Sequence, residues 1–324
     1  MAKRTMICAG IDTGKHKLDV AIDGSSEQLQ VDNAPEGYKV LSDWLRRHRV
    51  KRVGIEASGA YEQAVVAELR RKRFVVVVFQ PAQVRAYARF KGQQAKNDKL
   101  DAALIAACTA AVKTVHDAPD PRLLPFAQHL TMIDQIGEDI ARLKNRLESC
   151  RNARIQQIWK EDLAQLEKRK RTEFKALVAA IREHRDLAER LELIFSVSGA
   201  GMPTAVAILV RMPEIGKVTR EQAAALAGLA PYDDDSGQRV GSRHIQGGRE
   251  RLRRALYTAA LPASMRWNPQ LQKFYKRLIT AGKLHKHALV ACARKLLIFV
   301  NTVVARGTAW QNQTPQRNEA PATA

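Results

Sequence analysis

Apolar and polar positions in the first third of the chain alternate with the short periods of strands and helices. Strand patterns cover 6–11, Lys17–Ile22, 28–31, Arg52–Glu56 and 74–79, and helical periodicity covers 37–49, 60–71 and 98–112. The Val-rich run 74–79 predicts a fully buried strand, and Pro81 opens a short helical segment. Three strands followed by alternating helices and strands is the element order of a ribonuclease-H-like α/β fold, although other α/β folds share it.

The segment from 126 to 192 has the pattern of long amphipathic helices. Apolar residues recur at helical spacing, while Arg and Lys occupy the other faces. Segment 117–125 carries three prolines and two aspartates and predicts a linker. The simplest structure for 126–192 is a long helical hairpin or coiled coil, which could dimerise the protein or lie along a nucleic acid. A solvated charged face is the alternative interpretation.

From residue 193 onward the pattern predicts a mainly α-helical domain. Helical periodicity covers 203–210, 220–229, 250–261, 269–278 and 287–304, and a polar loop rich in Gly and Ser occupies 232–248. The tail from residue 308 has a composition typical of disorder. We therefore expect an α/β domain at 1–116, a linker and helical segment at 117–192, a helical domain at 193–307 and a tail at 308–324.

Composition adds a strong charge imbalance to this picture. The chain has 54 Lys and Arg against 33 Asp and Glu, a formal net charge of +21 and a pI near 10.1. Such a protein binds polyanions, most often nucleic acid and less often an anionic membrane surface. No stretch approaches the roughly 20 apolar residues of a membrane span, and four widely spaced cysteines indicate reduced, mostly buried thiols. We expect a cytoplasmic protein without a membrane partner.

Four acidic residues stand out against the positive charge. Asp12 and Glu56 end the first and fourth strands, which are neighbours in a ribonuclease-H-like sheet, so their carboxylates are expected to meet at its carboxyl edge. Asp98 and Asp101 lie three residues apart on one helix and share a face. If that helix packs at the sheet edge, two Mg²⁺ ions about 4 Å apart, with Mn²⁺ as an alternative, would relieve the repulsion and clamp a phosphate. Local capping roles are the alternative for each residue taken singly.

Two further motifs carry candidate chemistry. Lys15 lies in Asp-Thr-Gly-Lys, an incomplete phosphate-loop pattern that fits better as a hairpin turn. The loop around 230–249 offers two hydroxyls, Ser236 and Ser242, and His244 as a candidate general base. It also holds guanidinium groups for phosphates, and with Lys15 the expected nucleic-acid-binding residues are Arg239, Arg243, Arg249, Arg253 and Arg254. A mobile surface loop with solvated charge is the alternative.

The run Ser198-Gly-Ala-Gly before an apolar helix also has two interpretations. It is either a helical hairpin that binds nucleic-acid backbone through glycine amides or an ordinary packing turn.

Several of these motifs together resemble one family. Gly10-Ile-Asp-Thr-Gly-Lys, Ile55-Glu-Ala-Ser-Gly-Ala-Tyr and Lys96-Asn-Asp-Lys-Leu-Asp-Ala are similar to the three acidic motifs of DEDD insertion-sequence transposases. Leu226-Ala-Gly-Leu-Ala-Pro, Asp235-Ser-Gly and Arg253-Arg-Ala-Leu-Tyr resemble the C-terminal domain of the same proteins. They are the bridge-RNA-guided recombinases of insertion-sequence family one hundred and ten, which are related to Piv-type DNA invertases. The resemblance extends from residue 6 to about 305.

The resemblance implies a specific function. The N-terminal domain would be RuvC-like, with Asp12, Glu56, Asp98 and Asp101 as the metal-binding tetrad. Ser236 would be the catalytic serine that attacks a DNA phosphate and forms a phosphoserine intermediate. Members of the family act in the bacterial cytoplasm on donor and target double-stranded DNA, as dimers that assemble into a tetramer. A structured bridge RNA guides them and is held by the RuvC-like domain and the basic helical segment.

Three other functions remain open from the residues alone. A RuvC-like metal-dependent nuclease or resolvase would use water as the nucleophile and leave Ser236 incidental. A non-catalytic nucleic-acid-binding protein would need none of the acidic residues. A sugar-kinase-like ATPase shares the core fold, but the net charge of +21 and the missing adenosine loop count against it.

Overall fold

The structure is a computed structural model that describes residues 6–92, 98–115, 118–232 and 244–311, with side chains in the fourth helix described from Asp101 onward. Contacts divide the chain into two compact units, Met1–Ala118 and Pro119–Ala324.

The first unit is built on a five-stranded mixed sheet. Its strands are β1 (Cys8–Thr13), β2 (Lys17–Ile22), β3 (Gln28–Asp32), β4 (Arg52–Glu56) and β5 (Val75–Phe79). The strand order is β3-β2-β1-β4-β5. β2 pairs antiparallel with β1 and β3, whereas β4 pairs parallel with β1 and β5. The first and fourth strands are therefore neighbours, and the predicted ribonuclease-H-like topology is confirmed.

Helices cover both faces of this sheet. They are α1 (Pro35–Arg47), α2 (Gln63–Arg71), α3 (Pro81–Phe90) and α4 (Asp98–Ala111). One core joins α1 and α2 to the sheet through buried residues such as Ile11, Leu41 and Leu69. A second, smaller core joins α3 and α4 to β5 through Val84, Ile105 and other buried side chains. The sheet is thus the middle of three layers.

The expectation that β5 is fully buried is wrong. Val76 and Phe79 are buried, but Val75 is 45% exposed and Val78 is 37% exposed. β5 lies at the edge of the sheet, where coverage by neighbouring elements is incomplete. An apolar run reports the tendency to be buried but not the position of the strand in the sheet.

The second unit is mainly helical. Its helices are α5 (Leu123–Ser149), α6 (Ala153–Arg182), α7 (Arg185–Ser196), α8 (Met202–Arg211), α9 (Arg220–Leu226), α10 (Glu250–Pro262), α11 (Pro269–Thr280) and α12 (His285–Arg306). A π-helical turn, Ala263–Trp267, follows α10, and a short ribbon consists of β6 (Pro231–Tyr232) and β7 (His244–Ile245). The predicted linker 117–125 is wrong in its second part, because α5 begins at Leu123, whose side chain is buried in the core. Pro125 is tolerated there because the first turn of a helix needs no N–H donor.

The predicted helical hairpin consists of α5 and α6. Lys144 pairs with Glu167 at 2.9 Å, and His129 contacts Glu173 at 2.9 Å between the two helices. Buried residues of this hairpin belong to the same core as the C-terminal helices. Coiled-coil packing stays a prediction, as does the treatment of 117–192 and 193–307 as separate domains.

The last helix, α12, runs through the core of the second unit. By length and composition it could cross a membrane, which the sequence-based expectation missed. Half of its most apolar 18-residue stretch is buried, and Cys292, Leu296 and Val300 are fully covered by other helices. The packing accounts for the apolar character of α12 as that of a core helix.

Candidate active site

Asp12 and Glu56 lie side by side at one edge of the sheet. β1 and β4 are parallel with Ile11 opposite Ile55, so the next residue of each strand is an acid. Neighbouring strands are about 4.8 Å apart, and residues in register point to the same face. Both side chains are partly exposed. The structure therefore brings these two carboxylates together at the carboxyl ends of adjacent strands.

Two glycines allow α4 to lie directly on these strands. Gly10 and Gly54 are opposite each other, two residues before Asp12 and Glu56 and hence on the same face. A Cβ atom at Gly10 would lie 2.2 Å from the backbone N of Ala106, and one at Gly54 would lie 1.8 Å from Thr109 Oγ1. A larger residue at either position would force α4 away from the acidic residues.

The direction of α4 places its N-terminal turn at the acidic edge. Arg52, the first residue of β4, donates a 2.6 Å hydrogen bond to the carbonyl oxygen of Val112, just beyond the end of α4. The helix therefore runs antiparallel to β4. Asp101 immediately precedes Ala102, whose carbonyl oxygen faces Gly10. Asp98 and Asp101 thus begin α4 at the same edge of the sheet at which Asp12 and Glu56 end their strands.

The donor chemistry of this edge fits a hard divalent cation, since carboxylate oxygens are the ligands of Mg²⁺. Over the part of the chain that the structure describes, no three His, Cys, Asp or Glu side chains form a metal-binding group. That set leaves out the side chain of Asp98, one of the four predicted ligands. The described acids are therefore a shared edge of carboxylates and not a closed coordination sphere.

Sequence reasoning missed a fifth acid beside this edge. Asp19 lies directly opposite Asp12 in the β1–β2 pair and is 7% exposed. It accepts a 2.6 Å hydrogen bond from Gln30 and lies 3.3 Å from Lys17 Nζ. The signal was present, because positions 12 and 19 are equally far from the centre of the predicted hairpin. Asp19 has its own cation, so Lys17 offsets the charge that it adds next to Asp12.

Lys15 lies in the turn that joins β1 and β2. The turn is closed by a 2.9 Å hydrogen bond from the Gly14 N–H to the carbonyl oxygen of Lys17. This confirms the hairpin turn in place of a phosphate loop. The Lys15 side chain is exposed, and it follows Asp12 at the same edge of the sheet.

The loop that carries Ser236 is flanked by two segments that pair with each other. Residues 233–243, with Ser236, Ser242, Arg239 and Arg243, lie outside the described residues. Their flanks pair with each other, Pro231 with Ile245 and Tyr232 with His244.

Three glycines close the base of the loop. Gly228, Gly247 and Gly248 have φ angles of 69°, 65° and 67°, which side chains rarely adopt. A Cβ atom at Gly228 would lie 2.2 Å from the carbonyl oxygen of Gly247. The motif Leu226-Ala-Gly-Leu-Ala-Pro, which precedes the loop, therefore packs closely against Gly247 and Gly248, which follow it.

The arginines that follow the loop already have partners. Arg249 makes two hydrogen bonds, of 2.7 and 2.6 Å, to the carboxylate of Glu214. Arg253 donates to the carbonyl oxygen of Gly247 at 2.5 Å. Arg254 donates to Glu250 and to Glu138, and these carboxylates raise its pKa. Each would have to exchange an internal partner to hold a phosphate, so their role as phosphate ligands stays a prediction.

The glycine run after α7 is a packing turn. Gly199 has a φ of 99°, and a Cβ atom there would lie 2.4 Å from Cβ of Ala263. The carbonyl oxygen of Ser198 accepts a 2.9 Å hydrogen bond from the Asn268 side chain. These contacts favour the packing interpretation over a nucleic-acid-binding hairpin.

Comparison with known proteins connects the two units to one family. Residues 9–152 match the DEDD transposase model of IS110 elements, and residues 191–276 match the transposase IS116/IS110/IS902 family. The pilin gene-inverting protein of Moraxella bovis is 26% identical over 313 residues, which cover 91% of this chain and 94% of that protein.

Two further similarities cover less of the chain. An uncharacterized 43.6 kDa protein of insertion element IS110 from Streptomyces coelicolor is 30% identical over 125 residues, 38% of this chain and 31% of that protein. RuvC of Thermus thermophilus is 21% identical and covers 35% of this chain and 84% of that chain, with a TM-score of 0.24. This score is too low to assign a fold, so the fold assignment of the first unit depends on its strand order instead. Because both family models describe the same transposases and together match most of the chain, the chain belongs to the IS110 family of DEDD insertion-sequence transposases.

Proposed function

We propose that this transposase cuts and rejoins donor and target DNA through a phosphoserine intermediate, with divalent metal held by its acidic residues. The observation that carries the proposal is the common edge of the sheet at which β1 ends just after Asp12, β4 ends at Glu56, and α4 begins with the segment from Asp98 to Asp101. Nothing in a basic protein that only binds DNA requires acids at that edge, because carboxylates repel phosphates.

The four acids act as ligands of Mg²⁺, two ions in our proposal, for which Mn²⁺ can substitute. When bound, the metal stabilises negative charge on the phosphate and favours ionisation of the attacking hydroxyl. Asp12 and Glu56 lie on paired strands. Asp98 and Asp101 lie on a helix that approaches those strands closely because Gly10 and Gly54 have no side chains. Ligands on rigid elements keep their separation when DNA binds.

Ser236 is the nucleophile in this proposal. Its Oγ attacks the phosphorus, the bond to a deoxyribose oxygen breaks, and the serine proton leaves with that oxygen. The phosphoserine bond is then broken by a hydroxyl of the other DNA partner, which returns a proton to Ser236 and restores both ester and enzyme. The paired flanks of the loop support this role, since they anchor both ends of the segment that carries the serine. His244, on one of these flanks, is a candidate for the general base.

The partners follow from charge and family. Donor and target DNA bind to a chain of net charge +21, with Lys15 at the acidic edge and with the predicted arginines Arg239, Arg243, Arg249, Arg253 and Arg254 around the serine loop. A structured bridge RNA binds along the basic faces of the α5–α6 hairpin and on the first unit. The active assembly is a tetramer formed from two dimers on the bacterial nucleoid.

Covalent trapping tests the nucleophile. A nicked duplex with a labelled strand releases the leaving strand on cleavage and leaves labelled protein on a denaturing gel. We expect the adduct with the wild-type protein and with the matched control Ser242→Ala, and no adduct with Ser236→Ala. Strand exchange by Ser236→Ala would refute the serine mechanism, and cleavage without any adduct would indicate a water-dependent nuclease.

Substitutions that keep the shape of each acid but remove its charge test the role of the acids. Asp12→Asn, Glu56→Gln and Asp101→Asn should each abolish cleavage while leaving the melting temperature unchanged or higher, because removal of one of several like charges relieves repulsion. Asp43→Asn, an exposed acid on α1, is the control. Full cleavage activity in the Asp12 or Glu56 variant would show that cleavage does not depend on a metal held at this edge.

A further inference from the structure

A pocket of about 370 Å³ lies beside the β6–β7 ribbon in the second unit. Its walls come from both flanks of the Ser236 loop and from the first half of α12. Leu229, Pro231 and Ile245 form an apolar wall, and Lys286 and Arg294 form a basic one.

The basic wall of this pocket has no counter-charge among the residues that the structure describes. No carboxylate is among the described residues that line it. Within the described ranges, neither Lys286 nor Arg294 has an ion pair or a hydrogen bond to its side chain. Arg249 and Arg254, by contrast, are both held by glutamates of the same unit. Arg294 is half-buried, and none of the described residues that line the pocket with it is acidic.

We propose that this pocket binds one nucleotide of a DNA strand next to the cleaved phosphodiester. Its phosphate lies between Lys286 and Arg294, and its sugar and base lie against Leu229, Pro231 and Ile245. A guanidinium and an ammonium without a partner among the described residues suit a phosphate, and an apolar wall beside them suits the uncharged part of a nucleotide.

The position of the pocket favours DNA over RNA as the occupant. Pro231 and Ile245 pair across the base of the loop that carries Ser236. If that serine attacks a phosphate of a DNA strand, the neighbouring nucleotide of the strand would be within reach of these paired flanks. This step rests on the proposed function, since it takes Ser236 as the group that attacks DNA.

Binding measurements test the pocket independently of the chemistry. Full-length protein carrying Ser236→Ala is titrated with a fluorescein-labelled DNA strand of mixed sequence at several salt concentrations. In this background, Arg294→Gln and Lys286→Gln should each weaken binding about tenfold and reduce the slope of log affinity against log salt by about 0.7. The controls are Arg306→Gln and Lys283→Gln, exposed cations on or next to the same helix but outside the pocket.

The outcomes separate the pocket from the proposed mechanism. Affinity and slope equal to those of the two controls would overturn the pocket proposal, and Lys286→Gln decides the matter if Arg294→Gln fails to fold. A loss seen with RNA of the same sequence but not with DNA would overturn the assignment of DNA as the occupant. Since binding needs neither metal nor Ser236, failure to trap a phosphoserine adduct would leave this result unaffected.

Discussion

Gly10 offers the sharpest test of how the first unit positions its acids. In Gly10→Ala the new Cβ would lie 2.2 Å from the backbone N of Ala106 and 2.3 Å from the carbonyl oxygen of Ala102. Ordinary contact requires about 3.5 Å, so α4 must retreat from β1 by about 1 Å. Neither side can give way by turning a side chain, because the contacting atoms of α4 belong to its backbone.

The retreat of α4 should affect stability and activity to different extents. Overpacking of this kind costs about 1–3 kcal/mol, and for a domain of roughly 100 residues this lowers Tm by about 5–20 °C. A displacement of 1 Å between catalytic groups can reduce the rate by about 100-fold. Because Asp98 and Asp101 move with α4 while Asp12 and Glu56 do not, we expect cleavage to be lost even at temperatures where the variant is folded.

The assay combines calorimetric melting with strand cleavage on a labelled duplex. Gly14→Ala is the matched control, since a Cβ atom there would approach no atom closer than 3.2 Å. Gly54→Ala is a second probe, because its main clash is with the side-chain oxygen of Thr109 at 1.8 Å. Adding Thr109→Ala should restore part of the activity lost in Gly54→Ala. The reasoning is refuted if Gly10→Ala melts and cleaves like Gly14→Ala.

Contacts within the second unit give three further expected outcomes. Asn301→Ala should lower the free energy of unfolding in urea by about 1–3 kcal/mol, because its buried amide bridges two backbone groups of the α8–α9 connection; an unchanged midpoint would contradict this. Arg249→Met should cost about 1 kcal/mol in the same assay and Arg254→Met less than about 0.5 kcal/mol, since the second pair is more exposed, and equal losses would exclude that ranking. Burial raises the pKa of the Cys292 thiol to about 11, so at neutral pH an aromatic disulfide should label the half-buried Cys150 in the native protein and Cys292 only after unfolding.

Local patterns were sufficient for most elements of the first unit. β2 and β4 begin and end at the predicted residues, because alternation and flanking turn residues define a strand within a few positions. The burial of β5 could not be predicted, since it depends on which strands lie beside it. The start of α5 at Leu123 was missed for a related reason, because the apolar contacts that hold it come from helices distant in sequence.

The candidate site divides in a similar way. The meeting of Asp12 and Glu56 could be inferred once the order of strands was known. The direct contact of Gly10 with the α4 backbone could not, because a glycine in a strand gives no indication of what covers it. The pairing of Arg249 with Glu214, 35 positions away, is also invisible in a sequence, and it changes the role expected for that arginine. The geometry around Ser236 lies outside the described residues, so its role depends on family motifs.

The direction in which α4 crosses the sheet has an electrostatic consequence. The aligned peptide dipoles of a helix leave about half a positive charge at its N-terminus. That end of α4 lies at the edge with Asp12 and Glu56, so it attracts their carboxylates as well as the acids of its own first turn. Each carboxylate near a helix N-terminus gains about 0.3–1 kcal/mol, and a helix packed the other way would repel them instead. The fold therefore offsets part of the mutual repulsion of these acids before any cation binds.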